Sequence, residues 1–108
     1  MAVRKRAQFI VEADVPALLF ATKEAAERYL EATDVMNDVY GLAFDRTGRV
    51  YHVIPDGERA LLVADERGLI DTSRLRKALE RFLRSVNIEV GTDAALQDLL
   101  AQADAYCD

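Results

Sequence analysis

The segment Asp45-Arg46-Thr47-Gly48 constrains the fold more than any other feature of this sequence, because strand-forming residues flank it on both sides. Residues 39–44 and 49–54 are rich in the β-branched and aromatic residues that favour strands. The carboxylate of Asp45 can accept hydrogen bonds from turn amides, and Gly48 can adopt the positive φ that closes a type I turn with a G1 bulge. The sequence therefore predicts a β-hairpin that turns at this segment.

Further strands are predicted on both sides of the hairpin. Pro55-Asp56-Gly57 is a second turn signal, since proline presets φ and glycine tolerates positive φ, and residues 59–63 form a third strand-like run. Two short apolar stretches nearer the N-terminus, residues 8–11 and 17–20, can each form a strand, the second more readily than the first. We expect an antiparallel meander of three to four strands.

Three amphipathic helices are predicted from apolar residues at helical spacing. They cover residues 23–33, a segment ending near Val86, and a segment close to the C-terminus. The expected N-caps are Thr22, Asp71 or Thr72, and Thr92 or Asp93. The expected buried faces are Ala25, Ala26, Tyr29, Leu30 and Thr33, then Leu75, Leu79, Phe82, Leu83 and Val86, then Leu96, Leu99, Leu100 and Ala103. The predicted fold is a single α+β domain over residues 1–108, in the order β-α-β-β-β-α-α, with the helices on one face of the meander in two layers.

Composition and charge argue against several classes of function. The net charge of −5 repels phosphate backbones, so we expect no nucleic-acid partner. No uncharged run approaches the ~20 residues that span a bilayer, and no apolar segment follows the basic start of the chain as in a signal peptide. Cys107 is the only cysteine, so the chain forms no internal disulfide. We expect a cytoplasmic protein that is not bound to a membrane.

Few residues in the sequence suggest catalysis or metal binding. His52 is the only histidine and lies within a predicted strand, on the face opposite Tyr51 and Val53, where a structural role is expected. Cys107 lies one residue from the C-terminus, where no rigid frame positions a nucleophile. One histidine and one cysteine cannot supply the ligands that zinc requires, and the isolated glycines form no phosphate-binding loop. We expect no enzyme activity, no cofactor and no metal.

A stripe of cations on the second helix has two interpretations. Arg74, Lys77, Arg81 and Arg84 are spaced i, i+3, i+7 and i+10, which aligns them on one side of the helix. The stripe could bind RNA, a membrane surface or an acidic protein, or it could be a solvated helix face that Glu80 and acidic neighbours partly neutralise.

Four carboxylates form the candidate partner-binding site. Glu27, Glu31, Asp34 and Asp38 lie near the end of the first predicted helix and just beyond it. Carboxylates at that end oppose the helix dipole, at a cost of ~0.3 kcal/mol or more each, so local stability does not explain them. They could bind a cationic protein surface, or a basic residue such as Arg28 could neutralise them within the fold.

The segments AERYLEATDV and YGLAFDRTGRV, within residues 18–54, resemble small bacterial immunity-type proteins, which neutralise a toxin secreted by a neighbouring cell. This resemblance implies a non-enzymatic inhibitor in the bacterial cytoplasm. Its acidic surface would occlude the active site of a toxin, often a basic nuclease, through Glu27, Glu31, Asp34 and Asp38. The alternative is a small regulatory or scaffold domain that self-associates, as a homodimer for example, through a sheet edge or its apolar helices.

Overall fold

The computed structural model describes residues 6–14 and 16–107, so most of the basic start of the chain lies outside the described residues. Two strands come first, β1 (Phe9–Ala13) and β2 (Ala17–Phe20). Two helices follow, α1 (Lys23–Tyr29) and α2 (Ala32–Met36). Three further strands are β3 (Tyr40–Asp45), β4 (Val50–Asp56) and β5 (Arg59–Ala64). The last helices are α3 (Thr72–Ser85) and α4 (Leu96–Asp104).

All five strands form one antiparallel sheet in the order β2-β1-β3-β4-β5. The meander β3-β4-β5 and the α+β class are confirmed. The sheet has five strands rather than three to four because both N-terminal stretches are strands. They pair with each other, and β1 also pairs with β3, with a bulge between Val11 and Ala13.

Helices cover both faces of the sheet, which corrects the expected two-layer arrangement to three layers. Successive residues of a strand point to opposite faces. Ile10 and Phe44 accordingly pack against α3 and α4, whereas Val11 and Ala43 pack under α1 and α2. The one-face prediction failed because strands β1 to β3 are apolar on both sides and therefore need cover on both.

The layer of α3 and α4 covers only part of its face. After β5 the chain returns to the start of β4, where the amide of Val50 donates to the carbonyl of Leu69 at 2.9 Å and Arg49 forms an isolated bridge with Ile70. This return places α3 over β1 and β2 and leaves the β4-β5 side open. Ile54 and Val63 on that side are 40% and 42% exposed.

The hairpin turn forms as expected. The amide of Gly48 donates to the carbonyl of Asp45 at 3.1 Å, and Gly48 has φ +91°. The Asp45 carboxylate accepts from the amides of Thr47 and Arg49 at 2.9 and 3.1 Å. The second turn lies later than predicted, because Pro55 and Asp56 still pair with β5 and the reversal takes place after them.

The first predicted helix is broken, which is the largest difference at the level of single elements. Thr22 is its N-cap, as expected, and accepts from the amide of Ala25 at 3.0 Å. The helix ends at Tyr29, however, because Leu30 adopts extended geometry and enters the core. Tyr29 and Thr33, both expected to be buried, are exposed as a result.

The two later helices match their expected faces, and one of the two expected caps is wrong. Asp71 is the N-cap of α3 and accepts from the amide of Arg74 at 2.9 Å. In contrast, α4 begins only after Ala95, which makes no side-chain cap hydrogen bond, so neither Thr92 nor Asp93 caps it. The fully buried residues of these helices include Leu75, Leu79, Leu83, Leu99, Leu100 and Ala103.

Candidate functional site

The candidate site is the junction between α1 and α2, where the chain changes direction beside the start of β5. Leu30 turns inward, and Glu31 continues in extended geometry as the N-cap of α2. Glu31 forms an antiparallel bridge with Arg59, and the amide of Ala32 donates to the carbonyl of Glu58 at 3.1 Å. These backbone contacts fix the junction to the sheet.

Two large apolar side chains are exposed at this junction. Tyr29 is 62% exposed and Met36 is 68% exposed. Two grooves share Tyr29, Arg28 and Glu31 in their walls. One, of about 460 Å³, also includes Asp34 and Tyr40, and the other, of about 520 Å³, also includes Met36, Glu58 and Arg59. Tyr29 therefore lies between two concave surfaces. We call the walls of these two grooves together the junction surface.

Carboxylates outnumber cations around the junction surface. Glu31 and Asp34 line the first groove together with Asp14, and Glu58 lines the second. The cations in the same walls are Arg28 and Arg59. The structure thus brings two of the four predicted carboxylates, Glu31 and Asp34, to the side chain of Tyr29.

The other two predicted carboxylates have different surroundings. Asp38 is exposed just after α2 and has φ +57°, a left-handed conformation that Asp tolerates better than most residues. Glu27 faces the outer edge of the sheet, where its carboxylate accepts from the amide of Leu62 at 2.9 Å and lies 3.9 Å from the ammonium group of Lys23. Glu27 is therefore engaged within the fold.

The break in the helix also changes the electrostatic argument that singled out these residues. Asp34 lies in the first turn of α2, where a carboxylate is favoured by the helix dipole, and not at the end of a longer helix. Its carboxylate accepts from the hydroxyl of Tyr40 at 3.1 Å. Burial and then this hydrogen bond raise the pKa of Tyr40, because both disfavour the phenolate.

The basic stripe on α3 is partly neutralised by ion pairs. Arg74 forms a bidentate pair with Glu12, with both N–O distances 2.7 Å, and Arg84 lies 3.5 Å from Glu80. Burial alone would raise the pKa of Glu12, but hydrogen bonds from Arg74 and from the amide of Leu42 hold it below its usual value. These contacts agree with the interpretation of the stripe as a solvated and partly neutralised helix face.

His52 lies on the open β4-β5 side, and its Nε2 is 2.8 Å from the carboxylate of Asp65. The hydrogen bond from His52 lowers the pKa of Asp65. The adjoining groove of about 440 Å³ includes no Ser, Thr or Cys side chain in its walls. Across residues 6–14 and 16–107, no three His, Cys, Asp or Glu side chains group as potential metal ligands.

Sequence reasoning missed the two apolar residues of the junction surface. The spacing of Tyr29 fits a continuous helix and so predicts a core position, and no pattern in the sequence predicts that Met36 is exposed.

Within the described part of the chain, no helix has the length and apolarity needed to cross a membrane. Comparisons with protein-family models, with curated proteins and with solved structures find no match to this chain.

Proposed function

We propose that this chain is a non-enzymatic protein-binding domain and that its junction surface binds a basic protein. The observation that carries this proposal is the exposure of Tyr29 and Met36 beside Glu31 and Asp34. Single exposed apolar side chains are common on soluble proteins, but exposed apolar side chains that lie together and are rimmed by polar residues, as Tyr29 and Met36 do in the wall of one groove, are typical of an interaction site.

The chemistry of the junction surface matches that of a protein interface. Tyr and Met are enriched at the centres of interfaces, where they supply contact area, and charged residues are concentrated at the rim. The excess of carboxylates around Tyr29 accelerates association with a cationic partner and disfavours an anionic one. The net charge of −5 acts in the same direction at longer range.

The resemblance of residues 18–54 to immunity-type proteins supports a specific form of this proposal. In that form the chain is an inhibitor in the bacterial cytoplasm, and its partner is a toxin with a basic active-site surface. Glu31, Asp34 and Asp38 contact the toxin, whereas Glu27 supports the surface by holding the edge of β5.

The experiment is a binding assay between this chain and the proteins encoded beside its gene, followed by substitutions that leave the fold intact. Glu31→Lys reverses a charge on an exposed side chain that makes no capping hydrogen bond. Asp38→Asn removes a charge and keeps a residue type that tolerates positive φ. Asp34 is left unchanged because it accepts from Tyr40.

The matched control is Glu89→Lys, which makes the same charge reversal at an exposed position in the loop after α3, on the opposite helical layer. We expect Glu31→Lys to weaken binding roughly tenfold or more, with the loss mainly in the association rate, and Glu89→Lys to leave it unchanged. Binding of no neighbouring protein, or equal effects of the two reversals, would rule out this function.

The open β4-β5 side supports a second candidate, a self-associating regulatory or scaffold domain. Ile54, Val63, Leu69 and Ile70 are 40%, 42%, 49% and 58% exposed, and the first three line one groove. A second copy of the chain could bury this apolar side. Light scattering after size exclusion distinguishes the candidates: a dimer that persists at high salt and is lost in Val63→Lys supports self-association, and a monomer excludes it.

A further inference from the structure

We propose that the outer edge of β2 binds an extended, uncharged segment of a partner protein as a sixth strand. A sheet with the order β2-β1-β3-β4-β5 has two outer edges, one on β2 and one on β5. Such edges carry main-chain donors and acceptors that can pair with another chain unless the protein blocks them.

The edge of β5 is blocked by the fold itself. The carboxylate of Glu27 accepts from the amide of Leu62, and the extended residue Glu31 forms a bridge with Arg59. An inward-pointing carboxylate of this kind is a common way of protecting an edge strand. An incoming strand could not pair with β5 without displacing these contacts.

The edge of β2 is different, because part of its main chain points away from the sheet. On the inner side, the carbonyl of Phe20 accepts from the amide of Gln8 at 2.9 Å, and the carbonyl of Pro16 accepts from the amide of Ala13 at 3.0 Å. Directions alternate along a strand. The amides and carbonyls of Ala17 and Leu19 therefore face outward, where β2 has no neighbouring strand among the described residues.

A groove of about 400 Å³ runs beside this edge, with aromatic side chains from both helical layers in its walls. On one side Tyr29 of α1 contacts Phe20, with ring centroids 5.5 Å apart. On the other side Phe82 of α3 contacts Tyr106, with centroids 5.8 Å apart. Besides these aromatic residues, the walls are made by β2 itself, Ala21 and Ala25.

These features specify the occupant. The outward main-chain groups pair with an extended backbone. The groove walls carry no charged side chain, so a charged segment would lose water there without gaining an ion pair, and an uncharged segment fits better. Alternate side chains of a bound strand would point toward Tyr29 and toward Tyr106, one helical layer each.

The groove is continuous with the junction surface, because Tyr29 lines both. The inference rests on the proposed function in one respect, which is that the bound strand belongs to the same basic partner. That partner would then engage the chain at two adjoining places, by charge at Glu31 and by main-chain pairing at Leu19.

The experiment selects peptides from a library of random dodecapeptides displayed on phage, with the whole chain as the immobilised target. The enriched peptides are synthesised, their affinities are measured by fluorescence anisotropy, and their binding sites are mapped from amide shifts in NMR spectra. We expect uncharged peptides with apolar residues at alternate positions, and shifts centred on the amides of Ala17 and Leu19.

Three changes test main-chain pairing and the walls separately. Leu19→Pro removes an outward amide and keeps the pairing with β1, since proline is tolerated where its nitrogen faces away from the sheet. N-methylation of alternate peptide amides removes the same hydrogen bonds from the peptide side. Each change should weaken binding roughly tenfold, as the loss of paired main-chain groups predicts, and Tyr106→Ala should weaken it by a similar factor. If circular dichroism shows that Leu19→Pro does not fold, the N-methylated peptide and Tyr106→Ala decide whether the peptide pairs with β2.

The matched control is Glu89→Lys, at an exposed position that lines neither this groove nor the junction surface, and it should leave peptide affinity unchanged. The strand inference fails if no peptide is enriched, if the shifts map elsewhere, or if N-methylation has no effect. A dimer that Leu19→Pro dissociates also overturns it, in favour of a second copy. Peptide binding at β2 together with no effect of Glu31→Lys on any neighbouring protein would instead exclude the proposed function alone.

Discussion

The ion pair between the buried Asp104 and the partly buried Arg46 joins the last helix, the hairpin turn and the N-terminal segment. The substitution Asp104→Asn removes its negative charge. The Arg46 guanidinium donates to both carboxylate oxygens, at 2.7 and 3.2 Å. The amide of Ala7 donates to the same carboxylate at 2.8 Å, and Arg46 also donates to the carbonyl of Ala7 at 2.8 Å. Segments that lie far apart in the sequence are thus held by one carboxylate.

The expected cost follows from the small exposure of the two side chains. The side chain of Asp104 is 8% exposed and that of Arg46 is 14% exposed. Breaking a buried pair by neutralising one partner costs about 3–5 kcal/mol, because the remaining charge stays buried without compensation. Since Arg46 keeps some contact with water, we expect about 3 kcal/mol, against a total stability of about 5–15 kcal/mol for a domain of this size.

The assays are urea unfolding and thermal unfolding, both followed by circular dichroism at neutral pH, on wild type, Asp104→Asn, Arg46→Met and the double variant. Asp104→Asn should lower Tm by about 12 °C, and the double variant should cost less than the sum of the single ones by about 2 kcal/mol. Asp93→Asn is the control, because Asp93 is exposed in the loop before α4 and its change should cost less than about 0.5 kcal/mol.

The pH dependence supplies an independent check on the cause. Burial would raise the pKa of Asp104, but hydrogen bonds from Arg46 and the amide of Ala7 outweigh it and hold the pKa below its ordinary value. The stabilisation from a lowered carboxyl pKa is complete above the unfolded value, near 4, and is lost as the pH falls through the folded value. The difference in stability between wild type and Asp104→Asn should therefore be constant near neutral pH and shrink in acid. Three results would refute this reasoning: a cost of Asp104→Asn below about 1 kcal/mol, costs of the single variants that add up in the double variant, or a stability difference between wild type and Asp104→Asn that grows in acid.

Three further predictions concern single side chains and are read from the same unfolding curves. Gly41→Ala should cost about 1–3 kcal/mol, because its new methyl group would collide with the carboxylate of Glu12 and lie 3.1 Å from its Cβ, whereas Gly91→Ala meets nothing within 4 Å and serves as the control. An equal effect of the two would contradict this. Thr22→Ala should cost about 1 kcal/mol through loss of the α1 cap, and Thr22→Ser should retain most of the stability. Glu27→Ala should cost about 1–3 kcal/mol, because a main-chain amide of β5 loses its acceptor, and a neutral result would show that water replaces the carboxylate without penalty.

The hairpin at Asp45-Arg46-Thr47-Gly48 and the helix α3 were predictable because their signals are local. The turn favours a side-chain acceptor at its first position and needs positive φ at its last, and Asp45 and Gly48 supply these. In α3 the leucines recur at one helical face over several turns, and Asp71 marks the start. The α+β class followed from the same two kinds of pattern.

The number of layers and the fifth strand depended on contacts between distant segments. The stretch that forms β1 is short and ambiguous in isolation, yet it lies between β2 and β3 in the folded sheet. Its register with β3 contains a bulge at which Glu12 supplies an acceptor for the amide of Leu42 at 2.8 Å. No local pattern encodes an acceptor from a residue so far away in the sequence.

In the candidate site, too, some properties could be read from the sequence and others depended on contacts between distant segments. The acidic character of residues 27–38 could be read from the sequence alone, because charge belongs to individual residues. Which of those carboxylates is available to a partner was decided by the fold: Glu27 is engaged by the edge of β5, while Glu31 lines the grooves beside Tyr29. Tyr29 is exposed where α1 ends, and the next residue, Leu30, is extended and buried. Tertiary contacts overrode helical spacing at that point, because Glu31 and Ala32 pair with Arg59 and Glu58 at the start of β5 instead of continuing the helix.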